Sequence, residues 1–118
     1  MNSEDFIDGV KMVVGKNGIM DVTETLINPP GRQPSKDLME MSKWFNKLSE
    51  NDRVYVQKII KYSIDTALFG LFSVLDGVRT IEDVGEKGKF ELYFVKNNER
   101  TLLNDPNVDF LHDLYNAE

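Results

Sequence analysis

The sequence predicts an α+β fold, mainly α. Four to five helices surround one long helix at about 49–76, followed by a small antiparallel hairpin at about 89–103 and a C-terminal helix. Two observations carry this reading. Apolar residues recur at helical spacing through the first two thirds of the chain, and the longest such run, Ser49 to Asp76, contains no proline. Alternation of period two appears only late, in Phe90-Glu91-Leu92-Tyr93-Phe94-Val95. At 118 residues and 13.6 kDa, the expectation is a single globular domain over 1–118.

The elements follow in order. Ser3 is the expected N-cap of the first helix, with Glu4 and Asp5 in its first turn complementing the helix dipole. Phe6, Val10, Val13 and Val14 mark its apolar positions, and Lys16-Asn17-Gly18 is its expected end. A second helical segment, Met20 to Ile27, is either separate or a continuation past a kink. Asn28 to Pro34 holds three of the four prolines and reads as a stiff connector, with a recognition loop presenting Arg32 as the alternative. Ser35 caps the next helix, whose apolar face is Leu38, Met41, Phe45 and Leu48, broadened by Trp44.

Ser49 followed by Asp52 restarts the chain as the long helix. Steps of about 100° put Val56, Ile60, Ile64, Ala67, Leu71, Val74 and Leu75 on one face. Ile59, Leu68 and Phe72 widen that face, and Lys58, Lys61 and Asp65 mark the exposed side. Tyr55, Tyr62 and Phe69 form a second stripe, spaced by seven, away from the main face. Such a helix needs cover on more than one side: either the rest of the chain covers the stripe, or a second chain does.

Gly77 is placed to end the helix in the left-handed conformation. Val78 to Ile81 is a candidate third strand, and Glu82 to Gly88 is turn chemistry. Asn97-Asn98 suits a two-residue hairpin turn, because asparagine tolerates positive φ. Arg100 to Leu103 returns as the partner strand. Asp105-Pro106 is the expected start of the last helix, with Val108, Phe110, Leu111, Leu114 and Tyr115 as its apolar side.

Composition narrows function. Fourteen Lys and Arg face twenty Asp and Glu, a net charge of −6. That balance repels nucleic-acid phosphates and anionic lipid, so neither is expected as a partner, and a basic protein suits it better. The absence of cysteine excludes disulfides, thiolate catalysis and cysteine-ligated zinc. The N-terminus has no basic, apolar leader pattern, and no apolar run reaches the roughly 20 residues of a membrane helix, so a cytoplasmic protein, of bacterial or phage type, is expected.

No phosphate-binding glycine loop or nucleophile elbow is present. His112 is the sole histidine, with Asp109 three residues before it and Asp113 after it. A lone carboxylate–imidazole pair can act as a base, but metal sites built on histidine use several ligands. No catalytic residue, metal or cofactor is assigned. Arg79, Arg100, Asp105 and His112 flank the hairpin and are the ligand-binding candidates. Tyr55, Tyr62 and Phe69 are the interface candidates. The functional expectation is a small acidic, non-catalytic domain that binds a protein or itself. An inhibitor or immunity-type partner of a basic protein would be one version, and a homodimer with the stripe as its seam another. The alternative is a small-ligand binder or enzyme using the Arg79/Arg100/Asp105/His112 end.

Overall fold

The computed structural model describes residues 1–117. In order these form α1 (Ser3–Val10), a π-helical segment (Lys11–Lys16), α2 (Asn17–Ile27), α3 (Lys36–Asn46), α4 (Glu50–Leu75), β1 (Tyr93–Lys96), β2 (Glu99–Leu102) and α5 (Leu111–Asn116). The fold is α+β and mainly α, as the hydrophobic periods predict. None of the described helices is long and apolar enough to cross a membrane. Two compact units divide the chain: Met1–Met12 with Asp65–Glu118, and Val13–Ile64.

In the first of these, Ile7, Phe72, Leu111 and Tyr115 form the buried core, with Phe6, Leu68, Phe69 and Leu75 packed against it. Phe72 meets Phe6 edge-on at 6.1 Å between centroids. The N-cap of α1 lies one residue earlier than expected. Asn2 is the N-cap, its side chain accepting from the Asp5 N–H while the Asp5 carboxylate returns to the Asn2 N–H. Ser3 Oγ instead donates to the Leu103 carbonyl at 2.7 Å, tying the helix start to the end of β2. Lys11 Nζ donates to the Leu114 and Ala117 carbonyls, a cation on the open C-terminal end of α5.

The end of α4 follows the sequence closely. Gly77 has φ +79°, its N–H donates to Val74 O, and the Val78 N–H donates to Ser73 O. That pair of bonds is the Schellman arrangement, which satisfies the last carbonyls of the helix. Val78 to Ile81 does not form a third strand: the sheet of the described residues has two strands. Its register pairs Tyr93 with Leu102 and Lys96 with Glu99. Asn97 and Asn98 take φ values of 53° and 64° in the connecting turn, the conformation a tight hairpin requires.

Asn104, buried, stitches the irregular segments together. Its Nδ2 donates to Leu75 O at 2.7 Å and Phe90 O at 2.8 Å, and its Oδ1 accepts from the Leu92 N–H at 2.8 Å. The last helix starts later than predicted. Asp105 closes a turn instead, accepting at Oδ1 from the Asn107 N–H while its carbonyl accepts from Val108, and α5 begins at Leu111.

The unit Val13–Ile64 is all helical. Gly18 does not end a helix: the π segment carries α1 into α2. Glycine there serves close approach, because a Cβ would lie 3.2 Å from Ile64 Cδ1 on α4. The Ser35 and Ser49 hydroxyls accept from the Leu38 and Asp52 N–H groups, as expected of caps. Phe45 is buried under the Arg53 guanidinium, 5.2 Å from its ring centre, and Arg53 also donates to Asn46 O. Asn46 in turn donates to Ile27 O, fixing α3 to the end of α2.

Candidate functional site

The four ligand-binding candidates have separate neighbours. The Arg79 guanidinium lies over Gly70, where a Cβ would stand 2.7 Å from Nη1. Arg100 stacks on the Tyr93 ring, 4.2 Å from its centre, across the hairpin. Tyr93 donates to the Glu91 carboxylate, a bond that raises its phenol above the ordinary value. Asp105 serves its own turn.

His112 has the densest surroundings. Its carboxylate partner is Asp76, not Asp109, which precedes the helix altogether. Asp76 Oδ2 lies 2.6 Å from His112 Nδ1 and accepts from the His112 backbone N–H at 2.8 Å. His112 is the second residue of α5, whose own N-cap residue, Phe110, offers no side-chain cap. The carboxylate at the end of α4 therefore supplies the capping bond that α5 lacks. The Asp76 side chain is 0 % exposed and that of His112 14 %. Nε2 lies 3.3 Å from Asp113, Phe110 stacks on the ring, and Phe69 meets it edge-on. With a carboxylate at each nitrogen, Phe110 stacked on one face and Phe69 edge-on, the imidazole acts as a latch between α4 and α5. Asp76 Oδ1 is buried and, among the described residues, has no hydrogen-bond partner.

The aromatic stripe divides. Phe69 is covered within the chain, by His112 and the core around Phe72. Tyr55 and Tyr62 are 63 % and 76 % exposed. Tyr55 has Lys58 over its ring. Asp65, expected on the outer side, accepts from the buried Tyr115 hydroxyl at 2.7 Å. Leu71 and Ile59, expected on the buried face, are exposed.

The feature that helical spacing did not single out is a groove of about 440 Å³ within Val13–Ile64, walled by α2, α3 and α4. Leu26, Leu38 and Ile60 line it and are half-buried. Val22, Met41 and Trp44 line it and are exposed, Trp44 by 57 %. Asp21 and Thr25 are the polar residues of its lining. Helical spacing puts Trp44 and Met41 on the apolar face of α3, but this part of that face has no cover among the described residues. Eight Lys and Arg against six Asp and Glu make this unit weakly basic, so the acidity of the chain belongs to the other unit, with six against fourteen. Comparison with known protein families, with characterised proteins and with solved structures finds no match.

Proposed function

We propose that this chain is a non-catalytic protein-binding domain that seats the apolar face of a partner's amphipathic helix in the groove between α2, α3 and α4. The observation that carries this is the groove itself: an apolar channel with an exposed tryptophan and methionine at its walls. Exposed apolar patches of this kind mark interaction sites, and Trp and Met are enriched in them. A helix is the occupant the walls fit. Leu38, Met41 and Trp44 recur every third residue on α3, giving ridges between which another helix packs. The slight excess of cations in this unit favours a helix with an acidic polar edge. An inhibitor or immunity-type protein, which works by covering a surface of its target, is a concrete version. The fourteen acidic residues of the other unit favour a target that is basic elsewhere on its surface.

One observation favours self-association as a second reading. Tyr55, Ile59 and Tyr62 follow one another along α4 at helical spacing, all exposed, and a two-fold copy would cover them.

The deciding experiment compares wild type with Trp44→Ala, Met41→Ser and Tyr62→Ala. A protein captured by wild type, and a peptide of its docking helix, are expected to bind Trp44→Ala more weakly by about 2 kcal/mol or more, the loss typical of a buried tryptophan anchor. Equal binding to wild type and Trp44→Ala refutes the groove. A native mass of two chains that reverts to one in Tyr62→Ala supports the second reading.

A further inference from the structure

We infer that a cavity in Asp65–Glu118, lined by Arg79, Lys87 and Lys89, binds the phosphate of a small phosphomonoester. The cavity has a volume of about 220 Å³, roughly that of seven liquid waters, which is room for a phosphate with a short body. Its position inverts the local charge. The unit formed by Met1–Met12 and Asp65–Glu118 has fourteen acidic and six basic residues, yet three of those six cations line this cavity and one acidic residue, Glu82, does.

Glu82 is engaged in shaping the loop. Its Oε2 accepts from the Gly88 N–H at 2.9 Å, and its carbonyl accepts from Lys87 Nζ at 2.7 Å and from Thr80 Oγ1 at 3.0 Å. Those bonds fold the segment Thr80–Gly88 back on itself and bring Lys87 beside the Arg79 segment. The Arg79 guanidinium is seated by the missing side chain of Gly70, since a Cβ there would stand 2.7 Å from Nη1. Among the described residues no acceptor is bonded to that guanidinium, a planar fork of N–H donors that matches the geometry of a phosphate as it does that of a carboxylate. Lys89 is paired with the Glu91 carboxylate at 3.8 Å, so Arg79 and Lys87 against Glu82 leave the lining a formal charge of +1, which favours an anion in an otherwise acidic unit. Ile81 and Phe90 supply an apolar wall for its organic part. This site is independent of the groove in Val13–Ile64.

The test is a titration of the ¹⁵N-labelled chain with inorganic phosphate and with glycerol phosphate at constant ionic strength, followed through amide shifts. Saturable shifts are expected at Arg79–Thr80 and Lys87–Phe90, stronger for phosphate than for matched chloride. Arg79→Gln is expected to weaken binding about tenfold or more, as loss of a charge-assisted bond does. Gly70→Ala keeps every charge and favours the helix, yet its Cβ displaces the guanidinium, so binding should fall several-fold. Lys96→Gln, outside the cavity, should leave binding unchanged. Shifts that do not saturate, or that weaken equally in Lys96→Gln and Arg79→Gln, overturn the site as a general charge effect. Binding to phosphatidic-acid vesicles without binding to glycerol phosphate overturns the soluble ligand class.

Discussion

Replacing Asn104 tests the reading of the hairpin region most directly. Its side chain makes three hydrogen bonds to backbone groups of Leu75, Phe90 and Leu92. At about 1 kcal/mol net per bond, Asn104→Ala should destabilise the chain by about 3 kcal/mol. The loss stays near that figure because Leu75 and Leu92 are half-buried and Phe90 is exposed, so water can reach the groups left open. For a chain of this size the melting temperature should fall by about 10 °C. Asn104→Asp separates donor from acceptor. It keeps an oxygen for the Leu92 N–H but sets a carboxylate oxygen against two carbonyls, so it should be no more stable than the alanine variant. Urea denaturation followed by far-ultraviolet circular dichroism reads both. An aspartate variant as stable as wild type, or an alanine loss below about 1 kcal/mol, would refute the three-way bonding.

Asp76→Ala leaves the His112 ring and backbone N–H facing an emptied buried site, and should destabilise by about 3 kcal/mol in urea. Asp76→Asn, which keeps an acceptor, should lose less. Phe69→Ala should lose about 3 kcal/mol and Tyr62→Ala under about 0.5 kcal/mol in the same assay, because the first ring is packed and the second faces water. Tyr115 has its phenol raised above its ordinary value of about 10, by burial first and then by its bond to Asp65. A raised folded-state value means that the native chain holds this proton more tightly than the unfolded chain. The resulting stability is full below about pH 10 and is lost as pH climbs beyond it. Denaturation midpoints measured from pH 8 to pH 11 should therefore fall less steeply in Tyr115→Phe than in wild type.

What the sequence made legible was local. The serine caps at 35 and 49, the Gly77 end of α4 and the Asn97-Asn98 turn each depend on a few adjacent residues. Their φ values and bonds are those the residue types demand. The partners of His112 and Asn104 were not legible, because Asp76 lies 36 positions before His112 and Leu75 lies 29 before Asn104. No spacing rule reaches that far. The face assignment on α4 failed at Asp65, Leu71 and Ile59 for a different reason. A helical wheel assumes one buried side along the whole helix, whereas Val56 and Ile60 line the groove of one unit and Leu68 and Phe72 enter the core of the other. α5 starts later than Asp105-Pro106 predicts because Asp105 satisfies its own turn, and Asp76 supplies the capping bond instead. The groove was not legible either, since Trp44 and Met41 show the same spacing whether covered or open.

The position of Trp44 has a practical consequence. It is the only tryptophan in the chain, and it stands at the rim of the groove. Light absorbed at the red edge of the ultraviolet band is therefore emitted from one place. A partner that seats in the groove must strip water from that indole and shift its emission to shorter wavelength. A phosphate entering the cavity near Arg79 touches a unit that contains no indole at all. The chain thus carries its own optical label for one of its two candidate sites, with no dye to attach and no residue to change.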